Sequence, residues 1–494
     1  MDRTPEQQAI IDHVTTTDGL TMVSAVAGSG KTTLLVEIAK ELKPQSALYL
    51  AYNKAVATEA QRKFPKTVKC CTTHSLAYRP TVIDNKLSLG FFSYRDIKDK
   101  IKYEEKCAIV EAIREFCLSS HTKFKKFAEE IDLEPHLQPL GQKYLNLMQQ
   151  GTVQCTHDFY LKMFHLLLLN GNVDYEEFDF IALDEAGDLN PVTLEIFKLL
   201  PAKKKLMVGD PHQNIYTFNH TINCFSVMEG EGAMLPMSQS FRVDTAIAQK
   251  IETFTQSYLD PTMQFKGVPL LDKSIKTKAF ISRTNASLVG KMIELNDLGI
   301  QYGLTRTAKQ LFTLPLTLCG LKKGGFIANP EYKHLQADVE YYFKHSDIRQ
   351  SYKSPLAYIR ALYNDDQALQ TIVGLIARHS PAKIIECYHE ARKHEKKNQN
   401  YMLGTSHSTK GLEFDQVELA DDLNTAISPI LQAMHNGLEP EKMPSNYRTE
   451  LNLYYVACSR AKKSLINATH LDTGQQSYLA INKFNTFEFT NPNL

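Results

Sequence analysis

The sequence lacks the features that mark secreted, membrane-spanning and zinc-binding proteins. Its nine cysteines form no CxxC pair, and the adjacent Cys70 and Cys71 are poorly placed to bridge each other, so we expect reduced thiols. Its sixteen histidines show no metal-site spacing, which argues against a zinc site held by the protein. The most compact apolar stretch, residues 164–169, is far too short to span a bilayer, and the first residues are polar and charged. These absences predict a cytoplasmic protein with no membrane partner.

The sequence also lacks an excess of either charge. Its 56 basic and 55 acidic side chains give a formal net charge of +1. The charged side chains can still be distributed unevenly in the fold, with a positive groove and a negative exterior. The net charge therefore neither supports nor excludes a nucleic-acid partner. Hydrophobic residues make up 43% and charged residues 22% of the chain, as in soluble folded proteins. The length predicts about three to four folding units.

What the sequence does contain is two regions in which apolar β-type segments alternate with helical ones. The first covers residues 20–71 and resumes at 178–237, and the second covers 279–305 and resumes near residue 401. Such alternation predicts parallel sheets with crossover helices, and the residues between the pieces look mostly helical. We therefore expect an α/β fold of two domains, each interrupted by a helical insertion: domain 1A at 1–85 and 169–235, insertion 1B at 86–168, domain 2A at 236–305 and 401–494, and a reduced insertion 2B at 306–400.

A phosphate-binding loop follows the first strand-like segment. The string AVAGSGKT at residues 25–32 lies between an apolar segment and the helix-forming residues 33–42, with Ala25 in place of the usual first glycine. Glycines let backbone amides converge on phosphates, Lys31 can reach the β and γ oxygens, and the Thr32 hydroxyl can ligate Mg²⁺ at a helix N-terminus. The sequence thus predicts binding of ATP and Mg²⁺ by Ala27, Gly28, Ser29, Gly30, Lys31, Thr32 and Thr33.

Two carboxylates end a second apolar segment, FDFIALDE at residues 178–185. Asp184 would hold the metal, and Glu185 would polarise the water that attacks the γ-phosphate. Paired acids at a strand end are often only a solvated turn. Their coexistence with the phosphate loop favours a catalytic role, and it extends the prediction from nucleotide binding to hydrolysis.

The remaining motifs carry a family resemblance. DEAGD at 184–188 is followed by VGDPHQNIYTF at 208–218, QSFR at 239–242, SRTN at 282–285, TSHSTKGLEF at 405–414 and YVACSRAK at 455–462. In this order they resemble the superfamily 1 helicases of the UvrD/Rep type, and the wording at 209–218 and 239–242 is most similar to the helicase portion of the F-box DNA helicases. No F-box-like segment precedes residue 1, so ubiquitin-ligase roles are not expected.

The resemblance implies two RecA-like P-loop domains and a role for several residues around ATP. Gln7 would read the adenine edge, with Gln8 as the alternative register, because an amide offers the donor and the acceptor that adenine requires. The other implied roles are base stacking by Phe241, ribose contact by Glu413, γ-phosphate sensing by Gln213, a place beside the metal for Asp210, and γ-phosphate contact by Arg242 and Arg460 from the second domain. ATP would thereby close a cleft that hydrolysis releases.

The resemblance also implies a track for single-stranded DNA. Phe218 would stack on a base without reading its identity, whereas Tyr216 could stack or be a core aromatic. Contacts to the strand are implied for Asn53, Lys54, Thr72 and His74 in the first domain and for Arg283, Thr405 and His407 in the second. His74 and His407 could equally be buried histidines with satisfied hydrogen bonds. The basic and aromatic run at 123–127 could touch nucleic acid, but a solvated helix face is favoured.

Three positions depart from the pattern of the family. Gly187 stands where glutamine is usual, Asn219 where arginine is usual, and Thr33 where an arginine often flanks the base. Each change removes a polar contact, and the first two fall where the ATP state is relayed to the strand. We expect weaker coupling with intact catalysis. The second insertion is shorter than the corresponding domain of the large family members. The processive unwinding and the autoinhibition of those members are therefore not expected of this chain by resemblance.

Together these features predict an ATP-dependent 3′-to-5′ DNA helicase that moves along single-stranded DNA in replication, repair or recombination. The polarity follows from the resemblance alone. Expected partners are single-stranded DNA, its junctions with duplex, and recombination or replication proteins. We expect the chain to be a monomer. We expect it in the cytoplasm, which would be the host cytoplasm if a phage encodes the protein. The alternatives are a translocase that clears proteins from single strands with little unwinding, a non-hydrolysing binding module, and RNA as the track.

Overall fold

The computed structural model describes residues 3–215, 221–322, 332–364, 366–395 and 399–471. The chain divides into two compact units, the first ending at Phe241 and the second beginning at Arg242. No helix among the described residues is long and apolar enough to cross a membrane. All nine cysteines are free thiols, and seven of them are buried.

The first unit is built on a six-stranded sheet with the order β3-β2-β4-β5-β1-β6, in which all pairings are parallel. Strand β4 is apolar and buried at most of its positions, as parallel strands covered on both faces are. The strands are β1 (Gly19–Ala25), β2 (Ala47–Leu50), β3 (Val68–Cys71), β4 (Phe178–Leu183), β5 (Ala202–Gly209) and β6 (Ala233–Met237).

Helices cover both faces of this sheet, because successive strand residues point to opposite sides. Val23 packs with helices near the chain start in one core, whereas Met22 packs in a second core that includes Phe116 and Phe164 of the first insertion. The helices are α1 (Pro5–Thr16), α2 (Lys31–Leu42), α3 (Lys54–Lys63), α4 (Thr73–Tyr78), α5 (Tyr103–Leu118), α6 (Phe124–Glu130), α7 (Gln138–Gln149), α8 (His157–Leu169), α9 (Pro191–Leu199) and α10 (Cys224–Val227).

The run at residues 123–127 forms the start of α6 and is amphipathic. Phe124 and Phe127 are buried in the core of the first insertion, whereas Lys125 and Lys126 are exposed. A Cβ atom at Gly141 would lie 2.4 Å from the ring of Phe124, so the ring packs directly against the backbone of α7. The favoured interpretation of a solvated face therefore describes the lysines, while the phenylalanines are core residues.

The second unit contains a five-stranded parallel sheet with the order β10-β11-β9-β12-β13. A separate two-stranded sheet pairs β7 with β8. The strands are β7 (Gln239–Asp244), β8 (Lys266–Val268), β9 (Lys278–Ser282), β10 (Gly303–Leu304), β11 (Tyr401–Thr405), β12 (Phe414–Leu419) and β13 (Ala461–Ile466).

Helices of the second insertion share a core with this sheet. Phe280 and Leu403 of the sheet pack in one cluster with Val289, Leu375 and Ile384 of the helices. The helices are α11 (Thr245–Tyr258), α12 (Asn285–Asp297), α13 (Ala308–Leu311), α14 (Thr313–Lys322), α15 (Lys333–Lys344), α16 (Ser346–Ser351), α17 (Pro355–Leu362), α18 (Gln367–Arg378), α19 (Pro381–His394), α20 (Ser406–Thr409), α21 (Asp421–His435) and α22 (Ser445–Cys458).

The prediction of an α/β fold with parallel sheets and mostly helical insertions is confirmed. The predicted limit of domain 1A at residue 235 falls inside β6, which pairs with β1 in the first sheet. The backbone hydrogen bonds of this strand tie it to the first unit, which continues to Phe241. The other predicted domain limits remain predictions.

Candidate functional site

The phosphate-binding loop joins β1 to α2. Gly28 and Gly30 have φ values of 76° and 85°, a left-handed conformation that favours glycine. The buried Ser29 hydroxyl donates a hydrogen bond of 2.7 Å to the carbonyl of Val26, which holds the turn closed. No side chain caps the N-terminus of α2. The first backbone amides of α2 can therefore bind an anion, as the N-termini of helices bind phosphates.

Asp184 lies at the end of β4 beside this loop and is 4% exposed. Its Oδ2 accepts hydrogen bonds from the hydroxyls of Tyr49 at 2.6 Å and Thr32 at 3.4 Å. Its Oδ1 accepts a hydrogen bond of 2.8 Å from the amide of Glu185. Burial, helped by the nearby charge of Glu185, raises the pKa of Asp184. A hydroxyl and a carboxylate thus converge as hard oxygen ligands would around Mg²⁺.

Glu185 adopts the left-handed conformation, with a φ of 53°. This conformation is uncommon for a residue other than glycine and typically marks strain at a functional site. Its Oε1 lies 3.9 Å from the Nζ of Lys31, and its side chain is 36% exposed. The two adjacent acids therefore differ: Asp184 is enclosed by donors, whereas Glu185 is partly open to solvent beside the phosphate loop.

Two glycines bring the turn after β4 against the turn after β5. A Cβ atom at Gly187 would lie 2.4 Å from the carbonyl oxygen of Asp210, and one at Gly209 would lie 2.8 Å from the amide nitrogens of Ala186 and Gly187. The glycine that departs from the family pattern is thus required by close backbone packing. This packing fixes the 3₁₀ turn Pro211–Gln213 against the acidic residues.

Residues implied as sensors lie in that packed turn. Gln213 is 4% exposed, and its amide donates a hydrogen bond of 3.1 Å to the carbonyl of Asp210. The carboxylate of Asp210 is buried and accepts a hydrogen bond of 3.0 Å from the amide of His212. The backbone hydrogen bond to Asp210 therefore fixes the position of Gln213. The carbonyl oxygen of Asp210 in turn packs against Gly187, in the turn that follows Asp184.

Gln7 and Phe241 flank the phosphate loop. The Nε2 of Gln7 donates a 3.5 Å hydrogen bond to the carbonyl of Ser29, and the ring of Phe241 lies 3.9 Å from an ideal Cβ position at Gly30. The amide of Phe241 donates to the carbonyl of Gly28 at 2.9 Å. Gln8 instead points away and donates to Asp12 at 2.7 Å. This geometry favours the register in which Gln7 reads the base.

The residues of the first unit for which contacts with single-stranded DNA are implied lie at the starts of helices that follow strands of the sheet. Asn53 caps α3 and Thr72 caps α4, each accepting a hydrogen bond from a backbone amide. Thr72, His74 and Asp184 line one pocket of about 100 Å³. Burial lowers the pKa of His74, which favours its neutral form. Lys54 is the exposed first residue of α3.

The aromatic pair Tyr216 and Phe218 lies outside the described residues, as does Asn219. The base contacts implied for Tyr216 and Phe218 remain predictions. The same holds for the implied part of position 219 in relaying the ATP state to the DNA strand.

In the second unit, Arg242, Glu413 and Arg460 make contacts with their own unit. Arg242 Nε donates a hydrogen bond of 2.7 Å to Glu413, whose side chain is 48% exposed. Arg460 is 1% exposed, and its Nε donates to the carbonyl of Val456 at 2.9 Å. The guanidinium of Arg460 is therefore buried and hydrogen-bonded within its own unit.

Arg283, Thr405 and His407 line one pocket of about 270 Å³. Arg283 makes two hydrogen bonds to Glu450, and this carboxylate raises the pKa of the guanidinium. Thr405 caps α20 and is buried. Arg283 is thus brought together with Thr405 and His407, which lie far from it in sequence, although Arg283 is engaged by a carboxylate.

Sequence reasoning missed Tyr49 and Arg306. Tyr49 lies in the buried strand β2 and donates to Asp184, while Arg306 lines the pocket of Arg283 and His407. A tyrosine in a short apolar strand is indistinguishable from a core residue in sequence. Arg306 follows β10, the position from which functional side chains often project in parallel sheets, and that signal could have found it.

Comparison with known proteins finds two family models on this chain. The UvrD/REP helicase N-terminal domain matches residues 3–225, and the UvrD-like helicase C-terminal domain matches residues 332–471. F-box DNA helicase 1 of Gallus gallus is 25% identical over 95% of this chain and 49% of the relative. F-box DNA helicase protein 1 of Schizosaccharomyces pombe is 25% identical over 94% of this chain and 57% of the relative. The chain spans about half the length of the curated relatives it matches.

Proposed function

Because this chain belongs to the UvrD/REP helicase family, we propose that it is an ATP-dependent DNA helicase that moves 3′ to 5′ along single-stranded DNA. One observation carries the proposal most directly. The Thr32 hydroxyl meets the Asp184 carboxylate at 3.4 Å, while Lys31 and Glu185 lie 3.9 Å apart beside an uncapped helix N-terminus. This is an arrangement suited to hydrolysis of a nucleoside triphosphate.

Each residue of this arrangement has a distinct task. Thr32 and Asp184 would hold Mg²⁺, which supplies charge stabilisation to the phosphates when bound. Lys31 neutralises developing charge on the β and γ oxygens, and the amides of α2 bind the same group. Glu185 orients the attacking water and accepts its proton, because its carboxylate lies beside the phosphate loop and is partly open to solvent. Gln7 and Phe241 select and hold the base.

Coupling to the strand is proposed to run through the packed turns. Gln213 senses the γ-phosphate from a turn whose backbone contacts Gly187. The pocket of Thr72 and His74 includes Asp184 itself, so a change at the metal reaches the strand contacts directly. In the second unit Arg283, Thr405 and His407 contact the strand. The family resemblance supports γ-phosphate contacts for Arg242 and Arg460, and it alone supports the polarity.

A strand-displacement assay with tailed duplexes tests this function. We expect displacement of a strand from a duplex with a 3′ single-stranded tail, dependent on ATP and Mg²⁺, and none from a 5′-tailed or blunt duplex. Preference for the 5′ tail would contradict the polarity. Removal of a protein bound to single-stranded DNA without displacement of any duplex would support the translocase that clears proteins instead.

A further inference from the structure

The first insertion carries exposed aromatic and basic side chains along residues 91–103, which lead into α5. Phe91 is 94% exposed and Tyr103 is 49% exposed. The aromatic–basic patch, as it is called below, is the segment of residues 91–103 that carries Phe91, Tyr94, Arg95, Lys100, Lys102 and Tyr103, of which all but the half-buried Tyr94 are exposed. Leaving a phenylalanine in water forgoes a sizeable hydrophobic stabilisation, so its position calls for an explanation.

The exposure of Phe91 results from a rigid scaffold. The amide of Gly90 donates to the carbonyl of Cys155 at 3.0 Å. On the other side, Phe92 faces inward and packs against the Tyr144 ring at 5.6 Å. Tyr144 in turn donates to Asp99 at 2.7 Å. Since its neighbours are tied to the core on both sides, Phe91 is held facing solvent.

The aromatic and cationic groups of the patch are ordered against one another. The rings of Tyr94 and Tyr103 lie 4.9 Å apart, and the guanidinium of Arg95 lies 5.6 Å from the Tyr94 ring. Arginine over an aromatic face is a stable pairing that leaves the cation available to an anion. Stacked rings beside cations are the two elements that single-strand binding surfaces combine.

Three of the four acidic residues of the same segment are occupied by the fold, whereas Glu104 is exposed. Asp99 pairs with Lys143 at 2.8 Å, Asp96 accepts hydrogen bonds from Ser93, and Glu105 accepts one from the amide of Lys102. Within the described part of the chain, no carboxylate lies in ion-pair distance of Arg95, Lys100 or Lys102. The patch therefore carries three cations against the one exposed carboxylate of Glu104, which leaves a net positive charge.

Packed rings tie His74, a residue implied in strand contact, to α8. His74 lies 5.6 Å from the Tyr160 ring and 6.4 Å from the His157 ring. Both of these rings belong to α8, which starts just after Cys155, and Cys155 pairs with Leu89 at the base of the patch. Because Cys155 and Tyr160 are buried, this link fixes the segment of the patch to the same folded unit as His74.

We propose that the aromatic–basic patch is a further binding site for single-stranded DNA, in which Phe91 stacks on an unpaired base and Arg95, Lys100 and Lys102 contact phosphates. A nearly fully exposed ring needs an accessible base face, which a single strand offers and a stacked duplex does not. Since any base has such a face, the site is independent of sequence. This inference rests on the proposed function, because it extends the track of that motor.

The test compares equilibrium binding of the full chain to fluorescent single-stranded DNA. Phe91→Ala should weaken binding by roughly five-fold to a hundred-fold, the range expected for one lost stacking contact. Phe91→Tyr should restore affinity to within about two-fold, because it keeps the ring. The double variant Lys100→Ala/Lys102→Ala should reduce the slope of log affinity against log salt by about 1.4, from about 0.7 for each phosphate contact on a single strand.

The matched control is Lys125→Ala/Lys126→Ala in α6, which removes two exposed lysines from the same insertion. Its salt slope and affinity should stay those of the native chain. If the patch variants bind like the native chain, or if the control loses as much, the patch is not a strand-binding site. Weakened binding of duplex alone would also overturn the assignment.

A second readout separates this inference from the proposed function. ATPase activity at saturating single-stranded DNA should stay within about two-fold of native in the patch variants, because stacking here contributes binding only. A native chain whose ATPase does not respond to DNA contradicts the motor. Loss of DNA binding in Phe91→Ala would support the patch even then.

Discussion

At the scale of single residues, the hydroxyl of Tyr49 is the contact that most constrains Asp184. The buried carboxylate has a raised pKa and accepts a 2.6 Å hydrogen bond from this hydroxyl. A donor stabilises the ionised form that a metal requires. Tyr49→Phe should therefore raise the Mg²⁺ concentration for half-maximal ATPase by roughly two- to ten-fold, from about 0.5–1.5 kcal/mol for one hydrogen bond. A Mg²⁺ titration of the ATPase rate measures this.

Tyr302→Phe is the control for that experiment. Tyr302 is buried in the second unit and donates a hydrogen bond of 3.1 Å to Asn296, so the variant removes a buried tyrosine hydroxyl away from Asp184. Its Mg²⁺ dependence should match the native chain. An unchanged dependence in Tyr49→Phe as well would show that Tyr49 has no part in organising Asp184.

Site residues can be predicted from the sequence when they belong to a motif of neighbouring residues. Lys31 and Thr32 follow a glycine turn, and Asp184 and Glu185 end an apolar strand, so each can be recognised from its neighbours. Tyr49 could not be predicted, because its partner lies on a different strand, 135 positions away in sequence. Contacts between strands depend on register, which the sequence of one strand does not contain.

At the scale of elements, the close approach of the turns after β4 and β5 makes Gly187 irreplaceable. Gly187→Ala places a Cβ atom 2.4 Å from the carbonyl of Asp210, so we expect a loss of about 1–3 kcal/mol in the free energy of unfolding. Gly187→Gln, which restores the usual family residue, should lose ATPase activity for the same reason. Denaturant unfolding and ATPase rates measure the two effects.

The control is Gly374→Ala in α18, where no atom lies within 4 Å of the added Cβ. Alanine in an open helical position should leave stability unchanged or raise it by about 0.5–1 kcal/mol. A Gly187→Gln variant that is as stable as native and hydrolyses ATP faster would contradict the packing argument.

Within α8, a buried lysine makes the stability of the first insertion depend on pH. Lys162 is 2% exposed, its Nζ donates to the carbonyl of Ser119 at 2.9 Å, and burial lowers its pKa to about 8 from 10.5. Between these two values the unfolded chain binds more protons than the folded one, so native stability should rise with pH. Lys162→Met should remove this slope and stabilise the fold at neutral pH by about 1–3 kcal/mol.

Urea unfolding at several pH values between about 8 and 10 measures this slope. Lys126→Met, at an exposed position of α6, is the control and should keep it. A less stable Lys162→Met protein with the slope retained would mean that Ser119 and the Phe116 ring, 4.7 Å from Nζ, hold the charged amine favourably.

Sequence periodicity predicted most elements around the site but not their packing. The apolar segment before the phosphate loop is β1, the following helix is α2, and the acidic pair ends β4. The requirement for Gly187 could not be predicted, because it arises from the backbone of a turn more than twenty residues later in the chain. The family pattern even indicated the opposite, a lost side-chain contact.

At the scale of the whole molecule, alternation of strand and helix was sufficient to predict two α/β units. The six-stranded and the five-stranded sheets are both parallel, and the family models support two RecA-like domains. The limit between the units was less predictable. The predicted limit at residue 235 cuts strand β6, whose hydrogen bonds to β1 place all of it in the first sheet.

Whether this chain is a DNA motor is tested most directly by its ATPase rate with single-stranded DNA, with single-stranded RNA and with no polymer, for the native chain and for Glu185→Gln. We predict strong stimulation by single-stranded DNA in the native chain. Glu185→Gln removes the proposed general base, so it should reduce the DNA-stimulated ATPase rate by about 10²-fold or more. Nucleotide binding should be retained. Hydrolysis that is indifferent to either polymer would contradict the motor and indicate a switch NTPase with this fold.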